Sequence, residues 1–307
     1  MSLRSFVQFV SVTFLLIPAL SSLLYPNYIM NLKSLNESIR TYYRRSGLLD
    51  KILVGIERTG KCLDSLNRED LASIDQFHTR GLDASIELIQ LAQVQSSDCV
   101  LDVGCGLGGS CRLLASQFGS KVVGVDLTDE FIDVAKKLTE IVGLDSMVSF
   151  KRGDALELPF DNASFDLVWT EHTQMNIADK FRFYKEIARV LKPAGRMVFH
   201  DVFQSGAGVP KFPVPWAKEA KFSFLVSEDK AKEIMMSSGL LVESWVGKRD
   251  VSAQFLNKLV AGFERSAKPP FGANLLMGED YREKLQNYES NLKQNRVTVA
   301  MGRLLKV

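Results

Sequence analysis

Gly104, Gly106 and Gly109, in the run Val100-Leu101-Asp102-Val103-Gly104-Cys105-Gly106-Leu107-Gly108-Gly109, satisfy the spacing GxGxxG. The run follows a strand-like stretch and opens a helical one, which is the setting a nucleotide-binding turn requires. Glycine lets the backbone turn tightly and approach a ligand, and the helix N-terminus behind it favours negative charge, so a phosphate and a carboxylate suit the turn equally. Asp102 shifts the balance. A carboxylate two residues before the first glycine repels a pyrophosphate but suits a ligand with an ammonium or sulfonium centre. Asp126 closes Val123-Gly124-Val125-Asp126, where an acid accepts hydrogen bonds from both hydroxyls of a ribose. Asp154, in Gly153-Asp154-Ala155, stands where it meets the amino edge of an adenine. One such acid alone reads as a helix cap or turn residue. Three at the ends of successive strands, beside a glycine loop, read together as a nucleoside site.

A second group of reactive side chains follows the fourth strand candidate. His172 stands at the carboxyl edge where open α/β sheets place their ligands, and an imidazole there suits a general base working near neutral pH. The competing reading is a structural histidine in a turn. Glu171 beside it suits a substrate ammonium or a cofactor contact. His200, at the end of the fifth strand candidate, reads as a packed core residue. Tyr42 and Tyr43 read as packing residues or as a pocket closure. Phe212-Pro213-Val214-Pro215-Trp216-Ala217, with Phe222 and Phe224, reads either as an aromatic lid over residues 211–224, suited to a methylammonium group or a lipophilic ring, or as a loop packed on the domain.

These residues need strands and helices in alternation. Candidate strands are Cys99–Val103, Val122–Asp126, Val148–Lys151, Phe165–Thr170, Arg196–Asp201 and Leu241–Val246, with RVTVAMGRLL (296–305) last. Between them, Phe131, Ala135, Leu138 and Val142 share one helix face, as do Phe181, Tyr184, Ile187 and Leu191. That alternation implies parallel strands with right-handed crossovers, an open doubly wound sheet. Leu35 to Leu66 reads as an amphipathic helix, and 251–294 as a helical insertion interrupted at Lys268-Pro269-Pro270. The chain divides into a leader (1–30), an N-terminal helical cap (31–74) and one α/β domain (75–307).

Composition removes other classes. The chain has 307 residues, 46% hydrophobic and 24% charged, with a net charge of +2, which is ordinary globular usage with no basic signature for nucleic acid. Cys62, Cys99, Cys105 and Cys111 show no metal-ligand pairing and no histidine is positioned to complete a site, so no metal is expected. Phe6 to Leu24 carries no charge and is long enough to reach across a bilayer. It reads as a cleaved signal, an anchor holding the body on the cytoplasmic side, or an organelle-targeting leader, and a start at Met30 gives a soluble cytoplasmic form.

Val100 to Gly109, Val123 to Asp126, Gly153-Asp154-Ala155 with Leu158-Pro159-Phe160, and Arg189-Val190-Leu191-Lys192-Pro193-Ala194-Gly195-Arg196 resemble, in order and spacing, the class I S-adenosylmethionine-dependent methyltransferases. The resemblance covers roughly Asp75 to Trp245. It implies a Rossmann-like α/β fold with a seven-stranded, mostly parallel sheet whose last strand is antiparallel. S-adenosyl-L-methionine is then the methyl donor, with Gly104 and Gly106 at its methionine moiety, Asp102 near the ammonium, Asp126 and Leu127 at the ribose, and Asp154 with Ala155 at the adenine. Asp75-Gln76-Phe77-His78-Thr79-Arg80-Gly81 and Trp169-Thr170-Glu171-His172-Thr173-Gln174-Met175-Asn176-Ile177 look like a small-molecule subgroup that includes sarcosine and dimethylglycine N-methyltransferases. This implies that Gln76 and His78 fold over the cofactor. Relatives commonly carry glutamine where Glu171 stands, so the substrate does not carry across. The expectation is methylation of a small molecule, with N-methylation of an amine ahead of O- or C-methylation of a lipophilic phenol or quinol. The other classes are a nicotinamide dehydrogenase using the same loop and a cofactor-binding protein without turnover.

Overall fold

A computed structural model describes residues 34–206, 208–263 and 271–307. The leader at 1–30 and the Lys268-Pro269-Pro270 break lie outside the described residues. Contacts divide the chain into a unit through Tyr42 and a second from Tyr43 to Val307. Helix α1 (34–43) falls largely in the first, and its Arg40 pairs with Glu37 one turn away at 3.2 Å.

The expected single helix over 35–66 is broken. Residues 44–47 leave the helix and Gly47 takes a left-handed conformation (φ 66°), so α2 (Leu48–Glu57) begins afresh and buries Leu48, Ile52 and Ile56 on one face. The apolar period continues across that gap, which is why the sequence reads as one helix. Then come the single turn α3 (Ala72–Asp75) and α4 (Leu82–Ala92).

The second unit is built on a seven-stranded sheet. In chain order it holds β1 (Cys99–Val103), α5 (Gly109–Phe118), β2 (Lys121–Asp126), α6 (Asp129–Ile141), β3 (Val148–Arg152), β4 (Phe165–Glu171), α7 (Lys180–Val190) and β5 (Leu191–Gln204). There follow α8 (Glu228–Ser237), β6 (Leu240–Gly247), α9 (Arg249–Ala261), α10 (Asn274–Met277), α11 (Tyr281–Lys293) and β7 (Val297–Lys306). The strands run β3-β2-β1-β4-β5-β7-β6 across the sheet. The first five are parallel and β7 is antiparallel to both neighbours, β5 and β6, as the resemblance implied. The order reverses between β1 and β4, and that switch point opens a crevice at the carboxyl ends of both strands.

Local chemistry explains where elements start. Asp179 caps α7 by accepting from the Arg182 N–H, and Ser227 caps α8 by accepting from Lys230; such caps satisfy donors a helix leaves open. Central strands are apolar on both faces because helices cover both: Val100, Leu101 and Val103 are fully buried, as are Leu167, Val168 and Trp169. On α6 the expected face holds, with Phe131, Ala135 and Leu138 buried. On α7 it is shifted. Phe181 is 49% exposed and the buried face runs through Phe183, Tyr184, Ile187 and Val190, while Leu191 already begins β5. A reading in steps of three from Phe181 catches Tyr184 and Ile187 but starts one strip of the helix too far toward solvent.

The helical insertion between β6 and β7 packs into one cluster with the 212–217 segment, including Val214, Trp216, Leu256, Tyr281, Tyr288 and Val297. Trp216 is 1% exposed, meets Tyr288 edge-to-face, and donates its indole N–H to Ser223 Oγ at 2.9 Å. This part of the expected lid is core, because its proline-stiffened loop turns Val214, Trp216 and Ala217 inward. No helix among the described residues is long and apolar enough to cross a membrane.

Candidate active site

β1 ends at Val103, and the turn after it is held by Val125 of β2, whose carbonyl accepts from the N–H groups of Gly104 and Cys105 at 2.8 and 3.1 Å. Gly104, Gly106 and Gly108 all have positive φ. The three glycines of the fingerprint do different things. A Cβ on Gly104 would lie 2.3 Å from Thr173 Oγ1, and one on Gly109 would lie 2.1 Å from the Asp75 carbonyl oxygen. Those two therefore serve close packing, of the β4 turn and of α3 respectively. A Cβ on Gly106 would meet nothing within 4 Å, so the loop opens there onto free space, beside the N-terminus of α5. That is the position at which a ligand approaches the backbone.

Asp126 faces the same opening. Its Oδ2 accepts from the Gly106 N–H at 3.1 Å and its Oδ1 from the Thr128 N–H at 2.8 Å. Burial pushes its carboxyl above the usual range, and those backbone donors oppose the shift. A carboxylate has about four acceptor positions, so roughly two remain for ribose hydroxyls. Leu127 follows it, half-buried. Asp154, beyond β3, spends Oδ1 on the Leu156 N–H at 2.9 Å, which fixes the turn that presents Ala155.

Asp102 is 3% exposed, and burial pushes its carboxyl up to about 8, against a 3.3 Å hydrogen bond from the Cys111 thiol. An acid held protonated by desolvation ionises when a cation arrives, so this environment fits a ligand bearing an ammonium. Cys105 and Cys111 are buried and their thiols are pushed up by burial, Cys105 to about 11; neither is a nucleophile.

Glu171 ends β4 on the face toward α4 and α5. Its Oε2 accepts from Ser110 Oγ at 2.6 Å and from the Trp169 indole at 2.9 Å, and Ser85 Oγ donates to both oxygens at 3.2 Å. Gln76 and His78 come to the same place. Gln76 Oε1 accepts from Ser85 Oγ at 2.9 Å and lies 2.9 Å from His78 Nε2. His172, with φ 49°, turns the chain after β4, and its N–H donates to the His200 carbonyl at 2.8 Å. The rings of His78, His172 and His200 lie 4.9–6.0 Å apart by centroid. Burial lowers the basicity of His172 and His200 well below the usual histidine range, so both imidazoles are neutral at physiological pH. His200 is fully buried as expected, yet neither of its ring nitrogens has a hydrogen-bond partner among the described residues.

Three supports of this arrangement are absent from the expected site. Asp201 accepts from the N–H groups of Thr173 and Gln174, each at 3.0 Å, and so fixes the turn that carries His172; burial pushes its carboxyl up to about 6. Arg112 on α5 is fully buried and pairs with Asp75 at 2.5 Å, while donating to the carbonyls of Leu107 and Ala135 and to Thr139 Oγ1. It ties the segment before His78 to the glycine loop. Ser110, directly after the fingerprint, gave the one available signal, a polar residue in the first turn of α5. Tyr43 packs edge-on against Phe131 and donates its hydroxyl to Asn176 at 2.9 Å, and Asn176 donates to the Trp216 and Phe222 carbonyls. The packing reading of that tyrosine holds, and it packs close behind the β4 turn.

A methyltransferase domain family matches residues 101–199. The methyltransferase GfsG of Streptomyces halstedii is 34% identical over 137 residues, 45% of this chain and 49% of that protein. The chloroplastic tocopherol O-methyltransferase of Arabidopsis thaliana is 42% identical over 99 residues, 32% of this chain and 28% of that protein. The chain thus spans half or less of the length of these curated relatives. Other relatives are named as N- and C-methyltransferases. Among solved structures, a proposed sarcosine dimethylglycine methyltransferase of Galdieria sulphuraria superposes with a TM-score of 0.62 at 23% identity, over 73% of this chain and 86% of that one. That likeness concerns the fold.

Proposed function

From a chain that carries a class I S-adenosylmethionine-dependent methyltransferase domain, we propose the transfer of the donor's methyl group to a small molecule, with an amine nitrogen as first choice of acceptor. The observation that carries this reading is the pairing of Gly106, open to free space, with Asp126, anchored to it by a 3.1 Å hydrogen bond. Together they form a cradle for a nucleoside at the switch point of the sheet. Asp102 adds a site that favours a cationic head group.

When bound, S-adenosylmethionine supplies a methyl group on a sulfonium leaving group. The acceptor's lone pair forms the new bond to carbon as the sulfur–carbon bond breaks, and much of the rate comes from alignment. His172 follows β4, next to the Thr173 that packs on Gly104, and its ring is neutral. An amine arriving unprotonated needs no base during attack, and the proton it sheds afterwards passes to His172 or to water. A hydroxyl benefits from a base as the bond forms, so the neutral imidazole also supports a second reading, O-methylation of a phenol or quinol. The half-buried Phe222 and Phe224 supply apolar surface for either.

The test is purified protein with deuterated methyl donor and a metabolite extract, read by mass spectrometry. Label on an amine supports the first reading, label on a phenolic oxygen or ring carbon moves the protein to the second, and label on nothing, with the donor analogue still bound, makes it a cofactor-binding protein without turnover. Equilibrium binding of NAD with none of S-adenosylhomocysteine would replace the proposal with a dehydrogenase.

A further inference from the structure

The chain contains three histidines, whose rings lie 4.9–6.0 Å apart by centroid although they come from the α3–α4 segment, the turn after β4 and the stretch of β5 that pairs with the end of β4, and two of them, His78 and His200, face Glu171. We propose that His78, Glu171 and His200 hold one divalent transition-metal ion of the zinc class, in a closed site that fastens residues 76–81 to the carboxyl ends of β4 and β5. His78 Nε2 lies 3.4 Å and His200 Nδ1 3.9 Å from Glu171 Oε1, and the three ligand atoms lie within 4.8 Å of one another. Ligands about 2.1 Å from a tetrahedral zinc stand roughly 3.4 Å apart. One edge already has that length and the others reach it by small side-chain rotations.

Three features favour an ion there over simple packing. His200 is fully buried with both ring nitrogens unpartnered among the described residues, and a neutral imidazole always carries one N–H donor and one acceptor. Leaving such groups unsatisfied is costly because each keeps its full desolvation penalty, whereas a metal on Nδ1 removes one of the two demands. Glu171 is presented as a ligand: Ser110 and Trp169 fix Oε2, as partners behind a metal ligand do, while Oε1, which also accepts from Ser85 Oγ at 3.2 Å, faces both histidines. Two imidazoles and a carboxylate form a donor set suited to zinc, cobalt or iron. Gln76 Oε1, 2.9 Å from His78 Nε2, is a further oxygen donor next to the set, and the His172 ring lies 4.9 Å from that of His200. The His78 and Glu171 side chains are 6% and 5% exposed, so the site is closed, as structural zinc sites are. It rests on the chain's own side chains and stands whether or not the methyl-transfer reading does.

The test uses the full chain stripped with chelator, dialysed and titrated with Co²⁺ alone, then competed with Zn²⁺. Expected are one Co²⁺ per chain, the ligand-field absorption of a four- or five-coordinate ion without thiolate charge transfer, displacement by Zn²⁺, and a melting temperature raised by Zn²⁺. His78→Ala and His200→Gln abolish the band, and Glu171→Gln weakens binding at least tenfold, with circular dichroism checking the fold of each. Should His200→Gln fail to fold, His78→Ala, in a connecting segment, decides. No saturable band, a band unchanged in His78→Ala, or a thiolate charge-transfer band would each overturn the proposal.

Discussion

Replacing Asp126 by alanine removes one carboxylate that faces two ways, and the two losses separate. Toward the protein, Gly106 and Thr128 lose the acceptor for N–H groups at 3.1 and 2.8 Å. Toward the nucleoside, two ribose hydroxyls lose a shared acceptor. A hydrogen bond to a charged group contributes about 1.5–3 kcal/mol. Water entering the space left by the side chain recovers part of two such bonds, so the expected loss of binding free energy is about 2–4 kcal/mol, or about 30- to 700-fold in Kd. Isothermal titration with S-adenosylhomocysteine measures it, and urea unfolding of the unliganded variant measures the protein-facing part. Asp126→Asn sharpens the comparison. Its amide offers one acceptor, but its NH₂ faces a backbone donor at Gly106 or Thr128, so affinity falls between wild type and alanine. Unchanged affinity in a folded Asp126→Ala variant would refute the assignment, because nothing would then distinguish Asp126 from a turn residue.

Asp102, raised to about 8 by burial, predicts that cofactor binding at pH 7 releases a proton as the arriving ammonium ionises it; the calorimetric enthalpy then varies with buffer ionisation enthalpy, and Asp102→Asn abolishes that variation. Because its folded value lies above the unfolded one, near 4, Asp102's contribution to unliganded stability is fully present below about pH 4 and is lost as pH rises through about 8, which urea titrations of wild type and Asp102→Asn across that window resolve. Arg112→Met leaves the Asp75 carboxyl, 3% exposed, buried without its partner and lowers stability by about 3–5 kcal/mol, with much of it recovered in Arg112→Met/Asp75→Asn; a loss under about 1 kcal/mol in denaturant unfolding contradicts the buried-pair account. His172→Ala slows methylation of a hydroxyl acceptor by about 100-fold or more and of an amine by far less, checked by kcat on matched acceptors; equal small losses make His172 a turn residue.

The sheet was legible because its signals are local. Val100 to Val103, interrupted by Asp102, and Val122 to Val125 are short, largely apolar runs that stop at Gly104 and Asp126, and Asp102, Asp126 and Asp154 each fall within two residues of a strand end. RVTVAMGRLL carries alternation enough to mark a strand, and its antiparallel direction came through the family resemblance. What the sequence hid depends on distance in the chain. Arg112 reads as an ordinary charged residue in α5 and is fully buried only because Asp75, far upstream, folds onto it. His78, His172 and His200 show no ligand spacing, since the α3–α4 connection, the turn after β4 and β5 bring them together. Trp216 looked like a lid residue because proline-rich aromatic loops often are, and packing against Tyr288 of the insertion makes it core. Gly109 fits the fingerprint for a reason the fingerprint does not contain, the close approach of the Asp75 backbone.

The central claim is methyl transfer to a small molecule from a donor seated over Gly106 and Asp126. Single-turnover incubation of stoichiometric enzyme with deuterated S-adenosylmethionine and the acceptor found in the extract screen, followed by mass spectrometry, tests it directly. The account predicts one labelled methyl on the acceptor for each S-adenosylhomocysteine formed, at a rate cut at least tenfold in Asp126→Ala at subsaturating donor. Formation of S-adenosylhomocysteine without a labelled acceptor, or equal rates in wild type and Asp126→Ala, would contradict it.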